Sequence, residues 1–368
     1  MLPVRYDSPA AVRQHGAVPA ISLPPVTYGA TAVRPGWADL PPGLRNALAA
    51  RVGGPPTVRV AGGGFTDGFA AVLTGPAGDR VFVKAAALHR QRHLVDWYAR
   101  EAVVLARLPA HLPVPRPRWA LTDSGWYALA LDAIDGHTPR LPWNPTELAA
   151  ALATYADVAA ALADPPAELV ALGLPRLADL ARDDILWWGE VAAGREPLPA
   201  AAADAPLAEL VALESRLPGY ADAASGLAHG DLRVDNLLLD ADGRAWLCDW
   251  PWLCHGPAWF DLAGLLLTAY ASGLDADAAF GGHPAAAGAP ADALDVTLAA
   301  LAGYFLTGAA AGPSNASPHL RSHQRWSGGQ ALGWLAARRG WPAPAPDDPG
   351  PTPSGTVAAA DGRTPPPR

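Results

Sequence analysis

The first third of the chain alternates short runs of β-branched and aromatic residues with turn-forming residues, which is the pattern of a β-meander. Three strands are predicted at Thr57–Val60, Phe69–Thr74 and Arg80–Lys84. Two more, at Pro117–Thr122 and Trp126–Leu131, flank an Asp-Ser-Gly turn. We therefore predict a small antiparallel sheet in this part of the chain.

Apolar residues with the period of a helix occur once inside this region, from Leu94 to Leu108, and dominate the chain after Pro145. A hairpin at 236–249, with Asp-Gly at its turn, interrupts the helical pattern. The prediction is an α+β protein with two lobes, a small antiparallel β-rich N-lobe and a larger helical C-lobe. The predicted C-lobe helices span residues 146–163, 177–193, 204–216, 260–273, 290–307 and 320–339.

These patterns divide the chain into four parts. Residues 1–50 are predicted to form an irregular N-terminal arm that ends in a short helix near Asp39–Val52. Residues 51–134 form the N-lobe and residues 135–341 form the C-lobe. In residues 342–368, nine of 27 residues are Pro, which predicts a disordered tail.

The charge balance excludes one class of partner. The chain has 27 Lys and Arg against 35 Asp and Glu, a formal net charge of −8, whereas nucleic-acid binders are normally basic. The first 20 residues lack the apolar segment of a signal peptide, and the uncharged apolar run Leu262–Leu274 is too short to span a bilayer. Two cysteines do not suggest a disulfide framework. We expect a cytoplasmic protein with no nucleic-acid or membrane partner.

The composition is biased toward Ala, Gly, Pro and Arg, so the rare residue types are more informative. The chain has one Lys, Lys84, at the end of the third predicted strand. It has seven Glu, of which the first, Glu101, lies in the helix that follows that strand.

The segment 229–236, which reads H-G-D-L-R-V-D-N, pairs Asp231 with Asn236 directly before a strand of the hairpin. Asp249 stands at the end of the returning strand. Phosphoryl transfer needs a carboxylate to orient and deprotonate a hydroxyl, and oxygen ligands for the Mg²⁺ that bridges the phosphates. Asp231 is the candidate base, and Asn236 and Asp249 are the candidate Mg²⁺ ligands, because a hairpin brings its two ends together.

This segment resembles the catalytic loop of the aminoglycoside phosphotransferase-like family, small-molecule kinases with a protein-kinase-like fold. Asp249-Trp250-Pro251 stands where kinases have D-F-G, and the stretch 256–263 resembles the family's G-P-x-x-x-D-L-A. The resemblance covers residues 50–340. It implies that Asp261 braces the catalytic loop, and we expect His229 to have a structural role beside it.

The same resemblance implies ATP as phosphate donor, with GTP as used by some members, and Mg²⁺ as cofactor. It implies that Lys84, positioned by Glu101, holds the α- and β-phosphates, as in kinases. The residues implied to contact the nucleotide through the backbone are Gly62, Gly63 and Gly64 in the first loop and Asp132, Ala133 and Ile134 at the interlobe hinge.

The acceptor stays open. An aminoglycoside or related antibiotic is the first interpretation, and a metabolite such as choline, homoserine or a sugar-amine is the second. A non-catalytic nucleotide-binding regulator and an interaction scaffold are alternatives from other classes. Trp187-Trp188, with Asp183, Asp184 and Glu190 nearby, either line a pocket for a cationic acceptor or pack in the core with the acids in water. Arg233 and Asp235 are interpreted as solvated loop residues.

Overall fold

In the computed structural model of the protein, residues 20–312 and 317–344 are described. The prediction of an irregular arm therefore lies outside the described residues at 1–19, and the prediction of a disordered tail lies outside them at 345–368.

The N-lobe contains a five-stranded antiparallel sheet with the strand order β1-β2-β3-β5-β4. The first two predicted strands have the bounds that the alternation indicates, whereas β3 continues three residues beyond Lys84. The elements of this lobe are α1 (Pro42–Arg51), β1 (Thr57–Val60), β2 (Phe69–Thr74), β3 (Arg80–Ala87), α2 (Arg92–Leu105), β4 (Pro117–Asp123) and β5 (Trp126–Asp132).

The two faces of this sheet have different partners, because successive side chains of a strand point to opposite faces. The apolar face of α1 packs on one face, where Leu44 and Leu48 join Phe69, Val83 and Ala130 in a buried cluster. The other face contacts α2 and opens toward the C-lobe. Lys84 lies on that second face, opposite Ala70 of β2 and Leu129 of β5.

The C-lobe is mostly helical, as predicted. Its helices α11 (Ala293–Ala310) and α12 (Leu320–Arg339) pack extensively against each other and against α9 (Ala258–Ala271). Its elements are β6 (Gly136–His137), α3 (Pro145–Ala163), α4 (Ala167–Val170), α5 (Leu177–Leu180), α6 (Trp188–Ala192), α7 (Leu207–Glu214), α8 (Leu217–Asp222), β7 (Leu227–Ala228), β8 (Leu237–Asp240), β9 (Ala245–Leu247), β10 (Cys254–His255), α9 (Ala258–Ala271), α10 (Ala276–Gly282), α11 (Ala293–Ala310) and α12 (Leu320–Arg339).

One predicted helix, 177–193, is interrupted. A π-helical turn at 181–185 follows α5, and the chain extends at Leu186 before α6 begins. The Glu214 side chain accepts hydrogen bonds from the backbone N–H groups of Trp187 at 3.1 Å and Gly189 at 2.7 Å. A carboxylate that satisfies the free N–H groups of a first turn favours a new helix start at this point.

Two helices, α3 and α11, are long and apolar enough to span a bilayer by length and composition alone. In α11, 83% of the apolar window is buried inside the protein, which is typical of a core helix; in α3, 39% of it is buried.

The packing of α1 on the sheet can be tested at Leu48, whose side chain is fully buried. We expect Leu48→Ala to lower the free energy of unfolding by about 2–5 kcal/mol, because it removes buried methyl groups and leaves a cavity. Asn46→Ala, at an exposed position of the same helix, should change it by less than about 0.5 kcal/mol. Urea unfolding followed by circular dichroism measures both, and equal effects of the two substitutions would contradict this packing.

Candidate active site

A cavity of about 700 Å³ lies between the two lobes. The sheet of the N-lobe lines it with Ala70, Phe82 and Lys84, and the C-lobe lines it with the segment 230–236 and with Asp249. The candidate base, both candidate metal ligands and the only Lys of the chain therefore reach one cavity.

The Lys84 ammonium group is the centre of an ion network that joins three segments. Its Nζ lies 2.8 Å from both carboxylate oxygens of Glu101, on α2, and 2.9 Å from Oδ1 of Asp249, after β9. The Glu101 side chain is 1% exposed, whereas that of Asp249 is 44% exposed. The predicted Lys84–Glu101 pair is thus formed, and it also holds the aspartate that follows the hairpin.

The electrostatics of this network favour the charged forms of Lys84 and Asp249. Burial acts to lower the pKa of Lys84, but Asp249 and Glu101 outweigh it and raise this pKa above its usual range. Burial acts to raise the pKa of Asp249, and Lys84 outweighs it and lowers this pKa. Asp249 has a φ of 67°, in the left-handed region, which costs about 1–2 kcal/mol in a residue with a Cβ. The contact with Lys84 offsets that strain.

Asp261, at the first turn of α9, supports the catalytic loop from behind. Its carboxylate accepts hydrogen bonds from the backbone N–H of His229 at 2.6 Å and of Gly230 at 2.9 Å, and from the Tyr155 hydroxyl at 3.2 Å. Gly230 has a φ of 83°, and a Cβ there would lie 2.4 Å from the Trp252 carbonyl oxygen, so only glycine fits. Asp261 occupies the bracing position that the resemblance implied.

His229 lies beside this brace. Its Nε2 is 3.0 Å from the carbonyl oxygen of Cys248, an acceptor, so Nε2 carries the proton and Nδ1 accepts from the backbone N–H of Asp231 at 3.3 Å. Burial lowers the pKa of His229 to about 4, so the ring is neutral at pH 7. Through these contacts the His229 ring stabilises the conformation of the loop.

The Asp231 carboxylate forms an ion pair that the sequence interpretation missed. Nη1 of Arg233 lies 2.6 Å from Oδ1 of Asp231, and Arg233 also binds Asp235 at 3.0 and 3.1 Å. The Asp235 side chain is 4% exposed, so the interpretation of these two residues as solvated loop residues is wrong. Burial raises the pKa of Asp231 to about 7, while the neighbouring Arg233 acts to lower it.

The donor set around Asn236 fits a magnesium ion. The Asn236 Nδ2 donates to the backbone oxygen of Asp231 at 2.7 Å and to its Oδ2 at 3.2 Å, which leaves the amide oxygen for another partner. Asp249 uses Oδ1 for Lys84 and keeps Oδ2. One amide and one carboxylate oxygen suit Mg²⁺, which is usually completed by waters and substrate phosphates. Within residues 20–312 and 317–344, no cluster of three His, Cys, Asp or Glu side chains could hold a metal alone.

The glycine-rich loop differs in part from the prediction. A Cβ at Gly62 would lie 2.2 Å from the carbonyl oxygen of Gly29, and one at Gly63 would lie 2.8 Å from that of Tyr28. These two glycines therefore allow the N-terminal arm to approach the loop, and neither lines the cavity. Gly64, with a φ of 98°, does line it.

The predicted hinge contacts also differ. The backbone N–H of Asp132 donates to the Arg116 carbonyl at 2.9 Å, and its side chain accepts from the Arg116 N–H at 3.0 Å. The backbone N–H of Asp132, which was expected to face adenine, is thus used at the end of the β4–β5 pair. None of the residues Asp132, Ala133 and Ile134 lines the cavity, whereas Phe82, which the sequence interpretation did not single out, does.

The two tryptophans of the 187–188 pair have different environments. Trp188 is fully buried and donates from Nε1 to the Ala299 carbonyl at 2.8 Å, so it is a core residue. Trp187 lines the cavity together with Asp184. Glu190 forms a surface pair with Arg195 and does not line the cavity, and neither does Asp183. Trp187 thus fits the interpretation of the pair as pocket lining, and Trp188 fits its interpretation as core packing.

A sequence model of one protein family, described as APH, Phosphotransferase enzyme family, matches residues 57–304. This range includes Lys84, Glu101, the catalytic loop and Asp261, and it ends inside α11. A comparison with curated protein sequences gave no match.

Solved structures with a similar fold include aminoglycoside phosphotransferases. The GDP complex of the wild-type aminoglycoside 2'-phosphotransferase-IIIa matches 81% of this chain and 100% of its own, with 16% identity and a TM-score of 0.57. The GDP and kanamycin complex of APH(2")-IIia matches 77% and 93%, with 13% identity and a TM-score of 0.52. These likenesses show the kinase-like fold.

The ion network can be tested by a double-mutant cycle. We expect Lys84→Met to lower the free energy of unfolding by about 3–5 kcal/mol, because it leaves the buried Glu101 carboxylate without its cation. The double variant Lys84→Met/Glu101→Gln should recover most of that stability and still fail to bind nucleotide. Urea unfolding and nucleotide titration measure the two properties. A single variant as stable as the wild type would show that the buried pair does not exist in solution.

The Asp261 brace predicts a pH dependence. Burial raises the pKa of this carboxyl to about 6, although its three hydrogen bonds act to lower it. The unfolded chain has a pKa of about 3.9, so the native state holds the proton more tightly, and this stabilising contribution is lost as the pH rises through about 6. The stability advantage of the wild type over Asp261→Asn should thus shrink from about pH 4 to 7. Chemical unfolding at each pH measures it, and an advantage that grows with pH would contradict the raised pKa.

Proposed function

Because the chain belongs to the phosphotransferase enzyme family, we propose that it transfers the γ-phosphoryl group of ATP to a hydroxyl group of a small molecule in a Mg²⁺-dependent reaction. One observation carries the proposal. The Lys84 ammonium, held between Glu101 and Asp249, lines the same cavity as the Asp231 carboxylate. A phosphate-binding cation and a base that share one cavity are the two groups that this transfer needs.

Asp231 is the proposed base. The acceptor hydroxyl donates a hydrogen bond to its carboxylate, which orients the oxygen for in-line attack. The carboxylate takes the proton as the new bond to the γ-phosphorus forms, while the bond from that phosphorus to the bridging oxygen breaks and ADP leaves. The positive charge of Arg233 opposes the effect of burial, so the pKa of Asp231 rises only to about 7 and a fraction of this carboxyl is ionised near neutral pH. The Asn236 amide and the Asp261 brace hold the loop, so the base is oriented before the acceptor binds.

Lys84 acts on the donor. Its ammonium group neutralises charge on the α- and β-phosphates, and Glu101 fixes its position from the buried side. Asn236 and Asp249 would hold Mg²⁺, which when bound neutralises the charge that develops on the phosphates. ATP is the proposed phosphate donor, and GTP is the alternative.

An aminoglycoside or related antibiotic is the first acceptor class that we propose, on the family resemblance and the solved neighbours. The cavity lining supports the second class, a metabolite with one amine or quaternary ammonium group such as choline. Among the described residues that line the cavity outside the catalytic loop, its brace Asp261 and the nucleotide half, Asp184 is the acid, and the lining around it includes aromatic residues. Aromatic faces attract a single cation with an apolar body. The aromatic residues of the cavity include Trp97, Trp187, Trp252, Tyr304, Phe305 and Trp326.

The regulator interpretation has less support. Kinase-like proteins without activity usually lack the base or a metal ligand, whereas here the candidate base, both candidate metal ligands and the cation are all present and line one cavity, and Glu101 contacts the cation. A scaffold would need none of these groups to be charged and buried.

An acceptor screen tests the proposal. The wild type is incubated with Mg²⁺ and either ATP or GTP, together with hydroxylated antibiotics and metabolites, and mass spectrometry detects the addition of one phosphate. We expect phosphate transfer to at least one acceptor, and Asp231→Asn should lose at least about 100-fold in rate, because general-base catalysis contributes about 10²–10⁴-fold. Nucleotide affinity should change little, since Asp231 contacts the acceptor. Equal turnover in wild type and Asp231→Asn would contradict the assigned base.

A further inference from the structure

Within the predicted N-terminal arm, residues 20–34 cross from the C-lobe to the glycine-rich loop of the N-lobe, and these residues are called the arm below. At one end, Ser22 donates from its backbone N–H to the Ala271 carbonyl at 2.8 Å, and its hydroxyl accepts from Trp326 and Gln330 of α12. Farther along, the Ser317 hydroxyl donates to the Thr31 carbonyl at 2.7 Å. The arm therefore spans the cleft, although it lies outside the range of the family match.

At its other end, the arm binds the carbonyl groups of the glycine-rich loop. Arg34 donates to the carbonyl oxygens of Gly63 at 2.9 Å and Gly68 at 2.8 Å. The carbonyl of Gly62 accepts from the Ala32 N–H at 2.8 Å, and that of Gly64 accepts from the Thr31 hydroxyl at 3.0 Å. The arm thus donates hydrogen bonds to four backbone carbonyl groups of this loop, those of Gly62, Gly63, Gly64 and Gly68.

The donors of the same loop are not satisfied. Within the described ranges, the backbone N–H groups of residues 63–67 have no hydrogen-bond acceptor in the protein. Consecutive backbone N–H groups without a partner form a concave site for anions, and phosphate is the anion that such loops bind. Gly64, Phe65, Thr66 and Asp67 all line the cavity that holds Lys84.

Among the described residues, one cationic side chain that lines the cavity has no carboxylate partner. Lys84 faces two carboxylates, those of Glu101 and Asp249, and Arg233 faces those of Asp231 and Asp235. In the part of the chain that the structure describes, Arg34 is the cavity-lining arginine or lysine that forms no salt bridge. Its Nε is buried and has no partner among the described residues.

Arg34 is also close to the nucleotide half of the cavity. The Gly68 carbonyl accepts from Arg34, and a Cβ at Gly68 would lie 2.5 Å from the Tyr98 hydroxyl, so Tyr98 packs against the same glycine that Arg34 binds. The Tyr98 ring is in turn 5.7 Å from the Lys84 Nζ. Lys84 and Arg34 therefore flank Tyr98.

We propose that the arm completes the nucleotide site, with Arg34 as a positioning and phosphate-binding residue. Its guanidinium holds the loop carbonyls away from the cavity, so that the loop N–H groups face the phosphates, and it adds to the positive charge of Lys84, which two carboxylates partly offset. This inference rests on the proposed function, because it takes a nucleoside triphosphate as the ligand.

The test compares a nucleotide with its nucleoside. Isothermal titration calorimetry measures the binding of Mg·ATP and of adenosine, or of Mg·GTP and guanosine, to the wild type, Arg34→Gln and Arg34→Lys. Arg34→Gln should weaken triphosphate binding at least about tenfold, the value of one charge-assisted hydrogen bond, and leave nucleoside binding unchanged. Arg34→Lys should recover part of the loss, since it restores the charge without the planar fork.

Arg45→Ala is the matched control. Arg45 lies on α1, its Nε is also buried without a partner, and it does not line the cavity. Its variant should bind triphosphate and nucleoside as the wild type does. Thermal unfolding of each variant without ligand reports whether the fold is intact.

The outcomes separate this inference from the proposed function. If the wild type binds no Mg·nucleotide, the proposed function fails. If the wild type binds it and Arg34→Gln binds it equally well, or if Arg34→Gln weakens nucleoside and triphosphate equally, the inference about Arg34 fails alone. A selective loss of triphosphate binding, partly recovered in Arg34→Lys, supports it.

Discussion

The Lys84 ammonium group, shared between two carboxylates, is the interaction on which the active site depends. Glu101 reaches it from a helix of the N-lobe and Asp249 reaches it from the end of a C-lobe hairpin, so one cation fixes the relative position of the lobes. Glu101 is buried and has this ammonium as its charged partner, and an uncompensated carboxylate there would cost several kcal/mol, on the order of 3–5. The same pairing lowers the pKa of Asp249, whose backbone lies in the left-handed region with a φ of 67°.

The catalytic loop is positioned by a second buried carboxylate, that of Asp261. Asp261 binds two consecutive backbone N–H groups at the start of the loop, and Asn236 closes the loop on itself through the Asp231 carbonyl. Asp231 is therefore held by hydrogen bonds to the backbone around it, and Arg233 opposes the rise of its pKa that burial causes. The glycine-rich loop is linked to the C-lobe as well, because the Phe65 ring stacks on His323 of α12 at 4.6 Å.

The sequence predicted the elements that depend on local pattern. The strands at Thr57–Val60 and Phe69–Thr74 and the helix at 320–339 have the predicted bounds, because alternation and helical period decide them. The resemblance to kinases likewise implied the Lys84–Glu101 pair, whereas the contact of Lys84 with Asp249 was not predicted. The predictions that differ from the structure concern features that depend on tertiary contacts. The helix predicted at 177–193 breaks where Glu214, from a distant helix, satisfies two backbone N–H groups. Gly62 and Gly63 face the arm, and an irregular arm has no period from which its path could be read.

The binding of nucleotide to the intact chain, with and without Mg²⁺, tests the central claim most directly. That claim is that the cavity around Lys84 and Asp249 is a magnesium–nucleotide site. Calorimetric titration of ATP and of GTP should show one nucleotide bound per chain and a clear increase in affinity when Mg²⁺ is added. If neither nucleotide binds at millimolar concentration in the presence of Mg²⁺, the Lys84 network has only a structural role and the proposed site is wrong.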